Sequence, residues 1–426
     1  MADVLPFSSA RGARPRHLIG VHVDEGGRRL SIAGIAVHGE GLQSRIDIQS
    51  FSQRPSASLT ARLPAATAVS QQSQSLAWEA WAELRSALAE EIAEAVMQRT
   101  GEAAYSGGKP SVLGLVEPGC WKPAPQGSWL FAGLCDGARL AATTGLPVID
   151  NFPAADLAKG GRGGPITALP YWLLLRDPRR DRVLIDLGRT ARLAYLPAEC
   201  RGDPLGQLRA SEAGPGTALL DALAVRLTGG QQAFDPGGRL AVQGRHIPEL
   251  LDHWMRDSYF DRPLPRWHPR GVRPERFLNE PLQWAISRSW SVRDMLCTAT
   301  HFVAAAVAKA IAMLAPMHDQ PFEIIAAGGG QNNGLLLREI AVRTGVSVAP
   351  ISQILPHSDA LDAACAALLA LCRIDDLPAG LPACTGVSAP VVLGSIHPGS
   401  TVAWRRLLHA MHSDERGQPA ARRAAG

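Results

Sequence analysis

Aromatic residues are scarce, at 5% of the 426 residues. Cysteines are few and scattered. Cys120, Cys135, Cys200, Cys297, Cys365, Cys372 and Cys384 never stand in C-x-x-C spacing, which removes zinc and dithiol redox motifs and fits a reducing cytoplasm. Charge of one sign is also lacking. Lys and Arg number 43 against 39 Asp and Glu, a formal net charge of +4, and the basic residues form no stripe that would bind nucleic acid. The expectation for membranes is likewise negative: no stretch reads as long and apolar enough to span a bilayer, and Met1–Arg16 lacks the apolar run of a secretory signal. His246, His253, His268 and His301 have no metal-ligand spacing, and no G-x-S-x-G supports a serine nucleophile.

What is present describes a soluble globular protein, 46% hydrophobic and 19% charged, and too long for one compact core. Strands are expected at His17–Val23, Leu30–Val37 and Ser44–Ser50, helices at Leu76–Arg99 and Trp129–Thr144, and short strands at Ser111–Val116 and Leu146–Ile149. A hairpin at Val183–Leu187 and Ala191–Leu196 restarts the pattern, which continues through a long helix at Val292–Leu314 and a buried strand at Phe322–Ala327. Each half reads as strands first, then helix–strand–helix, a βββαβα-like layout used twice. This predicts a loose leader at 1–16, an α/β domain at 17–180, a second at 181–400 and a tail at 401–426, with a cleft between the domains.

Ser211–Arg226 draws most attention. Glu212 precedes a Gly214-Pro215-Gly216 turn, and Leu219, Leu220, Leu223 and Leu227 then mark a helix with Thr217 as its N-cap. Such a turn is expected to leave backbone N–H groups facing outward for an anion, beside an acid able to deprotonate a hydroxyl. The alternative is an ordinary helix start with a surface Glu. Gly328-Gly329-Gly330, between a strand and a helix, admits close approach by a nucleotide but equally suits a structural turn. The acid in Phe234-Asp235-Pro236-Gly237-Gly238 reads as structural.

Several segments together resemble the anhydro-N-acetylmuramic acid kinases. Asn151–Pro165 is similar to that family's D-F-R-x-x-D-V-A-x-G-G-Q-G-A-P, and Ser211–Asp221 to F-D-T-G-P-G-N-A-L-L-D. Phe234–Gly244 is similar to Y-D-x-x-G-x-x-A-x-x-G, Gly328–Asn333 to G-G-G-x-x-N, Asp359–Ala363 to D-x-x-E-A, and Leu377–Gly386 to G-L-P-x-N-L-P-x-V-T-G. The resemblance implies a hexokinase–actin type of fold, in which two RNase H-like α/β domains close around ATP and a sugar. It implies cleavage of the 1,6-anhydro bond and phosphorylation at O6 in peptidoglycan recycling, in the cytoplasm, and a homodimer is compatible with it. Glu212 stands where the family has the Asp that activates water. Gly26, Gly27, Arg28, Gly188, Gly328, Gly329, Gly330 and Asn333 would meet ATP, Asp156, Gly214 and Gly216 the amino sugar, and Asp24 and Glu25 would hold Mg²⁺.

Departures are concentrated at polar contacts. The phosphate loop S-G-T-S-x-D-G-x-D reads Val23–Ser31 here, without its hydroxyls and with Arg28 and Ser31 in place of carboxylates. H-G-Q-T becomes Val116-Glu117-Pro118-Gly119, N-I-G-G-I-A-N becomes Asp186–Arg192, and K-S-T-G becomes Arg266–Pro269. Two readings follow: an ATP-dependent sugar kinase with altered metal handling, or a non-catalytic relative that senses a ligand or binds a partner. Loss of the loop that phosphoryl transfer depends on favours the second.

Overall fold

The computed structural model describes residues 15–24, 29–58, 60–61, 78–101, 108–124, 128–314 and 322–413. The chain starts with a meander of β1 (Arg16–Val23), β2 (Arg29–His38) and β3 (Arg45–Pro55). Helix α1 (Trp78–Gly101), β4 (Val112–Val116), β5 (Gly119–Pro123), β6 (Trp129–Gly133), α2 (Gly137–Thr144), β7 (Val148–Asp150) and α3 (Phe152–Ala158) follow. After α4 (Ala168–Leu175) a second meander forms from β8 (Asp181–Leu187), β9 (Thr190–Leu196) and β10 (Arg209–Pro215). Then come α5 (Thr217–Leu227), the long α6 (Val292–Leu314), β11 (Phe322–Ala327), α7 (Gly334–Thr344) and β12 (Val348–Pro350). The last elements are α8 (Leu361–Ile374), β13 (Ser395–His397) and α9 (Thr401–Ser413).

The two large sheets repeat one plan. Their orders are β13-β7-β4-β1-β2-β3 and β10-β9-β8-β11-β12. In each, an antiparallel meander is extended, on the side of its first strand, by two strands parallel to that first strand. Parallel neighbours need crossover connections, which helices supply. This is the RNase H-like arrangement, present twice, as the repeated βββαβα pattern predicts. The first sheet also carries β13 as an antiparallel edge strand on β7.

The boundaries differ from those expected at 180/181 and at 401. One compact unit comprises Met1–Ala158, Asp359–Ala379 and Val391–Gly426, and the other Lys159–Ser358 with Gly380–Pro390. The reason is the packing of α8, which lies across β1 and β4 of the first sheet. Gly20 and Gly114 are register partners there, and a Cβ on either would stand 1.8 Å from the Ala363 carbonyl oxygen or 2.0 Å from that of Ala366. Two side-chain-free positions and the alanines of α8 thus let helix and sheet backbones touch. The expected tail contains α9 up to Ser413, and residues 1–14 and 414–426 lie outside the described residues.

Two further expectations are corrected. Trp129–Thr144 is not one helix: β6 pairs with β5, Trp121 and Phe131 lie 4.6 Å apart across that hairpin, and the helix starts only after Asp136, which caps Arg139 N–H. In addition, α6 is long and apolar enough, by length and composition, to cross a membrane. Yet 72% of its most apolar window is buried within the protein, where Phe302 packs 5.1 Å from both Trp254 and Phe277. Its apolar surface is spent on the core of the second unit.

Candidate active site

Glu212 sits on β10 with 0% exposure, so it is not a surface residue at a helix start. The loop at 265–268 is zipped along this strand. Glu212 N–H donates to the Arg266 carbonyl at 2.8 Å, and Arg266 N–H donates to Ser211 Oγ at 2.9 Å. The Arg266 side chain is also buried, its Nη1 donating to the Tyr259 carbonyl at 3.1 Å and its guanidinium lying 5.0 Å from the Tyr259 ring. Burial lowers the Arg266 pKa, whereas burial and the negative charge of Glu212 raise that of Tyr259.

Across the sheet, Glu212 is in register with Arg192 on β9, and Arg192 with Asp186 on β8. Cross-strand partners point to one face, with Cβ atoms about 5 Å apart. An acid–base–acid row therefore spans three strands. It was missed in the sequence, although Asp186 and Arg192 are equidistant from Arg189, the midpoint of a recognisable hairpin.

The glycines around this row make backbone contacts that a side chain would block. A Cβ at Gly216 would come 2.2 Å from the Gly188 carbonyl oxygen, and one at Gly214 would come 3.0 Å from the Phe260 ring. The start of α5 does not present free N–H groups to an anion as expected. Gly216 and Ala218 N–H donate to the Arg189 carbonyl at 3.1 and 3.3 Å, and Thr217 N–H donates to the Gly188 carbonyl at 2.8 Å. Gly216, not Thr217, occupies the N-cap position, and Thr217 Oγ1 donates to the Gly188 carbonyl at 3.1 Å.

The triple-glycine turn packs on the same hairpin. A Cβ at Gly328, whose φ is +74°, would lie 2.6 Å from Asp186 Oδ1 and 2.9 Å from Gly188 N, and one at Gly330 would lie 2.6 Å from Leu187 Cβ. Gly329 has nothing within 4 Å of such an atom. Gly188, Gly216, Gly328 and Gly330 thus converge on one hairpin, with the Asp186 carboxylate between two of the turns. Asn333 serves as the N-cap of α7, accepting from Leu336 N–H at 3.1 Å, and its amide lies against Gly238. Asp235 accepts from Leu240 and Ala241 N–H at 2.9 and 3.0 Å, the structural role expected of it. The adjoining groove of about 420 Å³ is lined by Gln232, Phe234, Arg239 and Leu240 among others, with Phe234 54% exposed.

The glycine bend at 160–165 is held within the same unit. Arg162 N–H donates to the Thr385 carbonyl at 3.0 Å, its Nη1 donates to the Pro265 carbonyl at 2.8 Å, and Gly164 lies against the Trp267 ring. Segments far apart in sequence, 160–165, 265–268 and 385, are thereby joined.

Other expected site residues fall in the first unit. Asp24 closes its own turn: Arg29 N–H donates to Asp24 Oδ1 at 3.0 Å and Asp24 N–H to the Arg29 carbonyl at 3.1 Å. Glu25, Gly26, Gly27 and Arg28 lie outside the described residues. Asp156 is on α3 with 0% exposure. Glu117 turns inward and accepts from Cys135 N–H, and burial followed by the nearby Asp150 charge pushes its pKa well up. Among the described residues no three His, Cys, Asp or Glu side chains form a group able to hold a metal ion.

The family model for anhydro-N-acetylmuramic acid kinase matches residues 44–399. A protein of that name from Acaryochloris marina is 31% identical over 325 residues, 76% of this chain and 84% of the relative. Another, from Salinibacter ruber, is 36% identical over 318 residues, 72% of this chain and 78% of the relative. The chain belongs to the anhydro-N-acetylmuramic acid kinase family.

Proposed function

We propose that the protein is a working ATP-dependent kinase of 1,6-anhydro amino sugars, with Glu212 as the general base. The observation that carries this reading is the Asp186 carboxylate, seated between Gly188 and Gly328 at the carboxyl ends of the parallel strands β8 and β11. Ligands of open α/β sheets gather at such ends. Side-chain-free turns on either side leave room for phosphate, and a hard carboxylate oxygen suits Mg²⁺, which is commonly held by one or two carboxylates plus substrate phosphates. When bound there, Mg²⁺ would offset phosphate charge. Asp186 supplies the acid that the altered loop at 23–31 no longer does, and Phe234 offers an apolar face to the nucleotide base.

Glu212 takes a proton from water as its oxygen bonds to the anomeric carbon. The bond from that carbon to O6 breaks, and O6 accepts the γ-phosphoryl group of ATP. The products are ADP and the ring-opened sugar 6-phosphate. Because Glu212 is 0% exposed, part of its cover must move for the reactants to reach it.

The test is ADP release that requires both anhydro-N-acetylmuramic acid and Mg²⁺. In ¹⁸O-water, label should enter the anomeric hydroxyl and not the phosphate. Glu212→Gln should reduce turnover by about 10²–10⁴-fold. The non-catalytic reading draws on Asp24 being engaged in its own turn and on Ser31 being buried, with its Oγ accepting from Gln53 Nε2 at 3.0 Å. Thermal stabilisation by nucleotide or sugar without turnover would select it.

A further inference from the structure

A carboxylate taken fully out of water loses its hydration and tends to take up a proton unless an opposite charge is close. A general base must be ionised at working pH. The elements packed around Glu212 carry Arg192 on β9, Asp186 on β8, Arg266 and Tyr259 on the loop along β10, Arg162 on the glycine bend and Cys384 on the 382–385 turn. On the other face, α6 meets this strand with Ala306 beside Gly214. Arg266 donates to the Tyr259 carbonyl and lies on its ring, and it also feels the negative charge of Glu212 from the loop alongside β10. Arg192 is the cation in direct cross-strand register with Glu212.

We propose that Arg192 is the positioning residue of this site: from the middle of the row it holds the buried Glu212 ionised and in place, while Asp186, on its other side, draws part of that charge away. The role of Glu212 as base rests on the reading above, but the electrostatic claim is measurable without turnover. Removing the central cation and removing the far anion should act on Glu212 in opposite directions. A residue that merely fills space has no such signature.

The experiment follows the carboxyl ¹³C resonance of Glu212 against pH in protein labelled at glutamate, with the signal assigned by its loss in Glu212→Gln. Arg192→Gln should raise the midpoint so that Glu212 binds its proton at least tenfold more tightly, Arg192→Lys should restore most of the shift, and Asp186→Asn should lower it. Thermal melts establish that each variant is folded, with the downward shift in Asp186→Asn deciding the matter if Arg192→Gln is not. Midpoints that stay put, or that move the same way in Arg192→Gln and Asp186→Asn, overturn the proposal. If the wild-type protein turns over its substrate, the acid limb of kcat/KM should move in parallel. If it does not, the kinase reading fails while the resonance still decides the role of Arg192.

Discussion

Placing α8 in the first unit makes a quantitative claim about two glycines. Gly20 and Gly114 face each other on β1 and β4, and a Cβ on Gly20 would stand 1.8 Å from the Ala363 carbonyl oxygen and 2.6 Å from Ala367 N. A relaxed carbon–oxygen contact needs about 3.3 Å, so α8 would have to rise by roughly 1.5 Å. The obstacle is backbone, so no rotamer change relieves it. Overpacking of this kind costs about 1–3 kcal/mol, and a rigid obstacle favours the upper end. For a unit of this size that is a fall in Tm of roughly 6–12 °C. Gly114→Ala meets the Ala366 carbonyl oxygen at 2.0 Å and should cost a similar amount. Once the helix has been lifted by one methyl group, the second meets less resistance. The double variant should therefore lose less than the sum, with a coupling of about 0.5–3 kcal/mol. Urea and thermal melts followed by circular dichroism would measure this, with Gly101→Ala, which has nothing within 4 Å, as the control. Singles within about 0.5 kcal/mol of the parent, or strict additivity, would refute the close seating of α8.

Three further outcomes are expected. Gly328→Ala combines a φ of +74° with a Cβ 2.6 Å from Asp186 Oδ1, so it should lower Tm and weaken stabilisation by Mg²⁺–ATP, whereas Gly329→Ala, with open space around it, should do neither in a thermal-shift assay. Burial pushes the Asp221 pKa up to about 6, against an opposing pull from Arg189. Its ionisation therefore costs stability increasingly as pH rises from its unfolded value toward about 6 and fully above that, and Asp221→Asn should raise Tm at pH 8 but not at pH 3.5. His397 is raised by its hydrogen bond to Asp150, at 3.0 Å, so its contribution is complete below its ordinary value of 6.5 and fades as pH rises through the folded one. The Tm difference between the parent and His397→Gln should be larger at pH 5.5 than at pH 9.

The repeated strand-first pattern was legible because each meander alternates short apolar runs with turns, and α6 and β11 stand out by length and hydrophobicity. The return of the chain to the first unit was not. Nothing in an alanine-rich helix says which sheet it covers, and Gly20 and Gly114 gain meaning only once α8 lies over them. Trp129–Gly133 reads as helix because it is apolar throughout, and the antiparallel pairing with β5, with Trp121 against Phe131, separates the alternatives. At the site, Glu212 and its glycines were visible as a motif. Its burial, and the consumption of the α5 N–H groups by the Gly188–Arg189 turn, depend on partners more than 20 residues away. The Asp186–Arg192–Glu212 row escaped notice because its members lie on three strands and are adjacent only through register.

That row bears on why a glutamate stands where the family resemblance has an aspartate. One reading treats the extra methylene as decay: the carboxylate is displaced, and a shift near 1 Å costs about a hundredfold in rate. Restoring the shorter acid should then leave activity unchanged or raise it. The other treats Glu212 as one part of a refitted set, since the family's N-I-G-G-I-A-N is here Asp186–Arg192, with a charge at each end in place of two amides. The sum of formal charges over the three positions is −1 in both versions, so the ionic balance of the row is kept although every member differs. In a refitted row the reach of Glu212 is matched to Arg192, and Glu212→Asp should open a gap beside the half-buried Arg192. We expect Glu212→Asp to lower kcat by about a hundredfold with KM for the sugar little changed, and the triple variant Asp186→Asn, Arg192→Asn, Glu212→Asp, which rebuilds the family's row, to do better than Glu212→Asp alone. Steady-state kinetics on the three proteins measures this. A Glu212→Asp enzyme as fast as the parent, or faster, would show that the longer acid was never fitted to its neighbours.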